Sequence, residues 1–301
     1  MYGQYVFLSL SAVAIQVAHG KVVNQCSQRG MYALTWDDGP TQYTPQLLDT
    51  LEQKKVKATF HITTQYLTDP TIQSMIQRIA SAGHLIGLRT EASVDLFKMT
   101  DPQIRAYVAR QANVLSSFIG YFPKFIRLPY NGYDQRVLAA IESTGLIATS
   151  HNLETYDYNN DGGRTLTAVK LALSLVGKGQ GSFISVQHDG VQQSVGIAGK
   201  VIDQVQASGY KMVKLDECLG LGDMTKNKEA LKGADDSVDL GPLQLDGVNV
   251  PGAAPGAMDP NGNVVGGAGP VAGLGNSGTS AIHSSLLAAI IATILAAVMQ
   301  F

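Results

Sequence analysis

Between residues 31 and 213, short apolar runs rich in Val, Ile, Phe and Tyr alternate with longer segments of helical period. A chain patterned in this way buries itself best as a mostly parallel sheet with crossover helices. The runs at 31–36, 57–62, 84–88, 124–126, 146–150, 182–187 and 211–213 predict strands, and the segments at 44–54, 70–82, 101–119, 134–144, 165–176 and 193–207 predict helices. Thr44-Pro45 and Asp101-Pro102 mark two helix starts, each offering a capping side chain followed by a proline in the first turn, where its missing N–H is harmless. So regular an alternation suits a barrel better than a sandwich.

The two ends of the chain carry signals of another kind. Residues 1–20 hold an apolar stretch and close on Ala18-His19-Gly20, a small-x-small pattern that reads as a secretory signal peptide, although no Lys or Arg precedes the apolar run. At the other end, small residues at 275–278 and a short spacer precede a 16-residue apolar tail, Leu286 to Phe301. That tail is shorter than the roughly 20 residues of a spanning helix, and 276–301 reads as a GPI-attachment signal that is removed, with a marginal tail anchor as the alternative. Between 222 and 285 there is no aromatic residue and much Gly, Ala, Pro and Asp. Residues 221–285 therefore read as a disordered stalk, which leaves 21–220 as the folded domain. The implied location is the extracellular face of the plasma membrane or the cell wall, with membrane contact only through the anchor.

Cys26 and Cys218 are the only cysteines and lie just inside the ends of the patterned region. In an oxidising compartment they are expected to pair, the alternative being two separate buried thiols. A formal charge of -2 and a pI near 6.3, with no dense basic run, argue against nucleic acid as a partner.

If the strands are placed correctly, the reactive polar residues fall at or just past their C-terminal ends: Asp37 with Asp38, Arg89, Arg127, Glu154 with Asp157, and His188. Barrel enzymes build their sites at that edge. In Thr35-Trp36-Asp37-Asp38-Gly39-Pro40 two adjacent carboxylates precede a turn. Both stay ionised only beside a cation, so the pair reads either as a base next to a metal ligand or as a turn with a capping Asp.

At this point the chain resembles the polysaccharide deacetylases with a NodB-homology domain, and among them the fungal chitin deacetylases. The resemblance covers nearly all of 22–220 and rests on ordered motifs: ALTWDDGPTQYTPQLLDTLEQKKVKATFHI, AGHLIG, FIRLPYNGYD, NLETYDYNN, SFISVQHDG and GYKMVKLDECLG. It implies a distorted (β/α) barrel with about seven parallel strands that removes acetyl groups from N-acetylglucosamine polymers with the help of zinc or cobalt. It implies further that Asp37 is the general base, Asp38 the carboxylate metal ligand and Arg127 the partner that orients Asp37. His188 would be the general acid, oriented by Asp157, and Tyr130 would contribute its backbone N–H to the oxyanion as well as binding substrate, with Tyr158 a second substrate contact. The implied partner is chitin or a chitosan-like polysaccharide.

Three motifs depart from the family: the fourth has Glu154 at its first Asp and Tyr158 at its Trp, the fifth has Val186 in place of Leu, and the second has lost its ligands. Where the pattern His-Thr-x-x-His supplies two imidazole ligands, this chain reads Arg89-Thr90-Glu91-Ala92-Ser93, and neither His61 nor His84 restores the pair. Zinc lowers the pKa of bound water from 15.7 to about 7, worth at most about 11 to 12 kcal/mol of hydroxide availability. General-base help from Asp37 supplies about 3 to 5 kcal/mol. No tightly bound cofactor is expected, and Arg89 is expected to sit against Asp38 in place of the metal's charge, unless it points to solvent. Three functions compete: an N-deacetylase with a rebuilt site, a carbohydrate-binding module, and a structural wall protein. The first two are favoured by Asp37, Asp38, Arg127 and His188, and the second over the first by the loss of both imidazoles.

Overall fold

The computed structural model describes residues 21–240 and, beyond them, only two short antiparallel strands, Ala257–Met258 and Val264–Val265. The expected leader at 1–20 and terminal signal at 276–301 lie outside the described residues. No described helix is long and apolar enough to cross a membrane.

Eight parallel strands carry the core: β1 Met31–Asp37, β2 Thr59–Ile62, β3 Leu85–Arg89, β4 Phe125–Arg127, β5 Ile147–Thr149, β6 Leu153–Glu154, β7 Phe183–His188 and β8 Lys211–Val213. Seven of them run in the order β5-β4-β3-β2-β1-β7-β6, and β8 pairs with the first half of β1 while β2 pairs with its second half. The helices between them are α1 Thr44–Gln53, α2 Pro70–Ser81, α3 Asp101–Ile119, α4 Gln135–Ser143, α5 Gly162–Val176 and α6 Gln192–Ala207, with a short α7 at Leu215–Cys218. β5 and β6 are opposite edges of the sheet, yet only residues 150–152 join them. Four Cα steps span at most about 15 Å. The sheet must therefore curl until its edges nearly meet, which gives the distorted (β/α) barrel. Val23 tucks into the remaining seam as a parallel bridge to Thr149.

The strand interiors read as continuous apolar runs because helices cover them on one side and the barrel interior on the other; Trp36, Phe60, Ile86, Phe125 and Ile184 are all buried. Two helix starts differ in detail from the sequence reading. Thr44 is already the first helical residue and its hydroxyl is turned to Asp189, while α3 is capped by Thr100 in a reciprocal capping box with Gln103, one residue before Asp101. β6 was not predicted, since two residues carry no periodicity.

Cys26 and Cys218 form a disulfide. The expected stalk boundary at 221 does not mark the end of the packed chain. Residues 221–240 lie along α3 and α4: the Asn227 side chain and backbone carbonyl both bond to Phe122, the Lys232 N–H donates to the Thr144 carbonyl, Arg110 donates to the carbonyls of Asp235 and Val238, and Leu231 and Leu240 are buried. Composition misses this segment because polar bonds to neighbouring helices and a few scattered apolar side chains, Leu231 and Leu240 the most buried, hold it. Residues 241–285 of the expected stalk are described only at the two short strands named above.

Candidate functional site

Parallel pairing in register brings the ends of adjacent strands together. Asp37 is level with His61 on β2 and with His188 on β7, and Arg89 on β3 is level with Arg127 on β4. The C-terminal edge of the barrel thus gathers one buried carboxylate and four cationic or ionisable partners without help from long loops.

Asp37 is the centre. Its Oδ1 accepts from Arg127 Nη1 at 2.9 Å and from His61 Nδ1 at 3.0 Å, and its Oδ2 lies 3.0 Å from Arg89 Nη1. Burial would raise this carboxyl, but the guanidinium groups of Arg127 and Arg89 and the His61 hydrogen bond outweigh it and hold the group well below the usual carboxylate range. Arg127 is itself buried and fixed by Thr35 Oγ1 at 2.6 Å and the Ser150 carbonyl at 2.9 Å. His61 is driven down to about 4 by burial and by Arg127, so it is neutral. An ionised carboxylate only accepts, so the His61 proton sits on Nδ1. Gly87 makes room for this ring: a Cβ there would meet His61 Cδ2 at 3.0 Å.

Asp38 follows with φ of 67°, and Gly39 closes the turn where a Cβ would lie 2.1 Å from Asp189 Oδ2. Only glycine fits there. Asp38 Oδ1 accepts from Arg89 Nε at 2.8 Å, and its Oδ2 stands 3.9 Å from His188 Nε2. Arg89 therefore bridges the two carboxylates with one planar guanidinium. Burial opposes its charge and the two aspartates more than restore it.

On the other side, Asp157 is buried and binds His188 twice, Oδ1 to Nδ1 at 2.8 Å and Oδ2 from the backbone N–H at 2.6 Å. Burial disfavours the imidazolium, but Asp157, with Asp38 and Asp37 behind it, lifts His188 to about 9. Tyr158 stands edge-on to the His188 ring at 6.2 Å and is 55% exposed, while Tyr130, in the left-handed region at φ 53°, is 68% exposed. His188, Tyr158 and Tyr130 line, with Asp37, Asp38, Arg89 and Arg127, a cavity of about 740 Å³ that also includes Glu91, His151 and Glu154.

The predicted residues Asp37, Asp38, Arg89, Arg127, Tyr130, Tyr158 and His188 all line this cavity, and Asp157 stands directly behind His188. Ser93 does not join them: its Oγ is buried in the turn after β3 with no hydrogen-bond partner. Sequence reasoning missed four contributors. His61 was noted but given no role, although its register opposite Asp37 was the available signal. Nothing local marks His151, which pairs with Glu154 at 3.2 Å, or Glu91 and Asp189.

Zinc or cobalt does not fit this donor set. Asp38, the carboxylate expected to ligate the metal, already holds Arg89 Nε through Oδ1, a fixed positive charge fills the space beside it, and among the described residues no three His, Cys, Asp or Glu side chains group as metal ligands do.

Fold and site define a (β/α)-barrel protein with a carboxylate-centred groove at the C-terminal edge of its strands. A polysaccharide deacetylase family profile matches residues 24–148. A chitin deacetylase of Colletotrichum lindemuthianum is 34% identical over 68% of this chain and 86% of its own length. Chitin deacetylase 1 of Cryptococcus neoformans is 31% identical over 65% of this chain but only 45% of its own length. The solved structure of the chitin deacetylase from Colletotrichum lindemuthianum superposes with a TM-score of 0.64 at 32% identity, over 72% of this chain and 97% of that one. The chain belongs to the polysaccharide deacetylase family.

Proposed function

We propose that this protein engages N-acetylglucosamine polymers of the chitin type in the groove above Asp37 and does so without metal-dependent N-deacetylation, at an outer cell surface to which a GPI anchor tethers it. The observation that carries the reading is the Arg89 bridge between Asp37 and Asp38. A guanidinium supplies charge and donors but cannot ligate and activate water. The exposed Tyr130 and Tyr158 rings at the mouth suit the apolar faces of sugar rings, and the kinship with chitin deacetylases supports the polymer class. The secretory leader and terminal signal read from the sequence support the location, as does the formed disulfide.

The chemistry of the pair agrees. A general base works best with a pKa near the operating pH. Asp37 is held far below it and His188 well above it, so both groups rest in charged states that match one another. Retention of Asp157 beside His188 favours a second reading, residual hydrolysis with His188 as proton donor.

Metal content and acetate release from N-acetylglucosamine oligomers separate the two. The parent protein is expected to bind less than a tenth of a zinc per chain after dialysis against zinc, and to release no acetate. The Arg89→His/Ser93→His double variant removes the blocking charge and restores the family's two imidazole positions; it is expected to bind one zinc per chain. Stoichiometric metal or acetate release by the parent overturns the proposal.

A further inference from the structure

Four carboxylates line the groove, and three of them have a cationic or ionisable partner. Asp37 has Arg127, Arg89 and His61, Asp38 has Arg89, and Glu154 has His151. Glu91 has none. It is only 8% exposed, and among the described residues no cationic group acts on it. Its one polar side-chain contact is Gln111 Nε2, 3.5 Å from Oε1, at the far limit of a hydrogen bond. Burial with no compensating charge pushes this carboxyl up to about 7.

The wall behind it repeats the pattern. Gln111 is 1% exposed on the inner face of α3, and with its amide nitrogen turned to Glu91 its Oε1 finds no partner. The hydroxyl of Tyr107, one turn earlier on the same helix face, is buried beside the Glu91 backbone and the Gln111 side chain and brings no charge to either. Buried polar groups are ordinarily satisfied, and an unpaired carboxyl is the most costly to leave otherwise. At the bottom of a closed core this would be a defect. On the wall of an open groove the same carboxyl lies within reach of a ligand.

We propose that Glu91 is a subsite for a protonated primary amine, so that the groove prefers glycans carrying free 2-amino groups over fully N-acetylated ones. This rests on the reading that the groove binds such glycans at all. An ammonium brings three donors and a full charge to a carboxyl that lacks both, whereas an acetamido group offers one neutral N–H and an acetyl group that must fit against a nearly closed wall. A sugar hydroxyl offers less still. The amine is assigned to a glycan and not to a lysine side chain because the exposed rings of Tyr130 and Tyr158 flank the same groove and provide flat faces for pyranose rings.

The test is calorimetric titration of the full chain and of Glu91→Gln with three ligands at 0.15 M salt: a glucosamine hexamer, an N-acetylglucosamine hexamer and hexalysine. The parent is expected to bind the glucosamine hexamer about tenfold more tightly than the acetylated one, the worth of one charge-assisted hydrogen bond. Glu91→Gln is expected to lose that preference through weaker binding of the amine-bearing hexamer alone. Equal binding of both glycans by the parent, or an equal loss of both in the variant, overturns the amine subsite while leaving glycan binding standing. Hexalysine binding as tight as the glucosamine hexamer overturns the assignment to a glycan. Failure of the parent to bind either sugar overturns the proposed function, and this inference with it.

Discussion

The β7 side of the groove and the β3 side face the same two carboxylates and treat them differently. On the β7 side His188 is oriented by a buried aspartate and stops 3.9 Å short of Asp38, close enough to stabilise its charge and far enough to leave room for a ligand atom. On the β3 side Arg89 closes on both aspartates at 2.8 and 3.0 Å and leaves no room. The first side keeps a proton donor with an orienting partner, an arrangement suited to chemistry. The second has become part of a charge lattice, an arrangement suited to a fixed structure. A single element, the end of β3 and the turn after it, therefore decides what the rest of the groove can do.

The largest test of this contrast lies where the lattice is deepest. Arg127 is buried, touches Asp37, Thr35 and Ser150, and closes the seam between β4 and the segment after β5. Arg127→Met leaves Asp37 buried with one guanidinium fewer and is expected to cost about 3 to 5 kcal/mol in urea unfolding at pH 7. Arg89→Met, nearer the groove where water can reach Asp38, is expected to cost about half of that. Asp37 is depressed in the folded state, so its contribution is present above the unfolded carboxyl range and is lost as pH falls towards the folded value. Arg127→Met should therefore begin to unfold in acid at a higher pH than the parent. Equal costs for the two variants would mean that both arginines belong to one lattice and that the β3 side is not a separate addition.

The next test concerns the other side. Asp157→Asn removes the charge that lifts His188 to about 9, and the His188 pKa is expected to fall to near or below 6.5, read from its imidazole resonances. Because the folded pKa is raised, the pair's contribution is fully present below about 6.5 and is lost as pH rises through about 9. The variant should be about 2 kcal/mol less stable than the parent at pH 6 and nearly equal to it above pH 9.5. A cost that does not change with pH would show that Asp157 acts through the His188 backbone N–H alone.

How much of this was legible in the sequence follows the same division. The barrel came from periodicity, because strand interiors buried on both faces read as unbroken apolar runs, and the positions of Asp37, Arg127 and His188 followed from where those runs end. The Arg89 contact with Asp38 was expected because Arg89 stands at a lost ligand position and carries the charge a metal would supply, and the structure shows it. Its second contact, with Asp37, required the geometry of a curled sheet. His61 escaped because a buried histidine inside a strand looks like core until the register sets it beside an aspartate. Glu91 escaped because isolation from charge is a property of the surroundings and leaves no mark in the residue's neighbours along the chain. The segment at 221–240 escaped because hydrogen bonds to α3 and the turn after it, with a few scattered apolar side chains, make its hold, and composition does not count such bonds.

The smallest expected effect sharpens the contrast at the mouth of the groove. Tyr158 belongs to the β7 side, with its ring edge-on to His188 and more than half exposed, while Tyr130 rises from the turn after β4. Neither ring fills the core, so Tyr158→Ala and Tyr130→Ala should each leave the unfolding midpoint nearly unchanged. A stacking contact with a sugar ring is worth about 1 kcal/mol, so each substitution is expected to weaken oligomer binding about fivefold. If both rings contact the same bound chain, the double variant should show the sum of the two losses, since they are separate contacts on one ligand. A loss confined to Tyr158→Ala would place the glycan along the β7 side only. In that case the rebuilt β3 side would be a wall that the ligand does not touch, and the Arg89 bridge would serve the stability of the barrel edge rather than recognition.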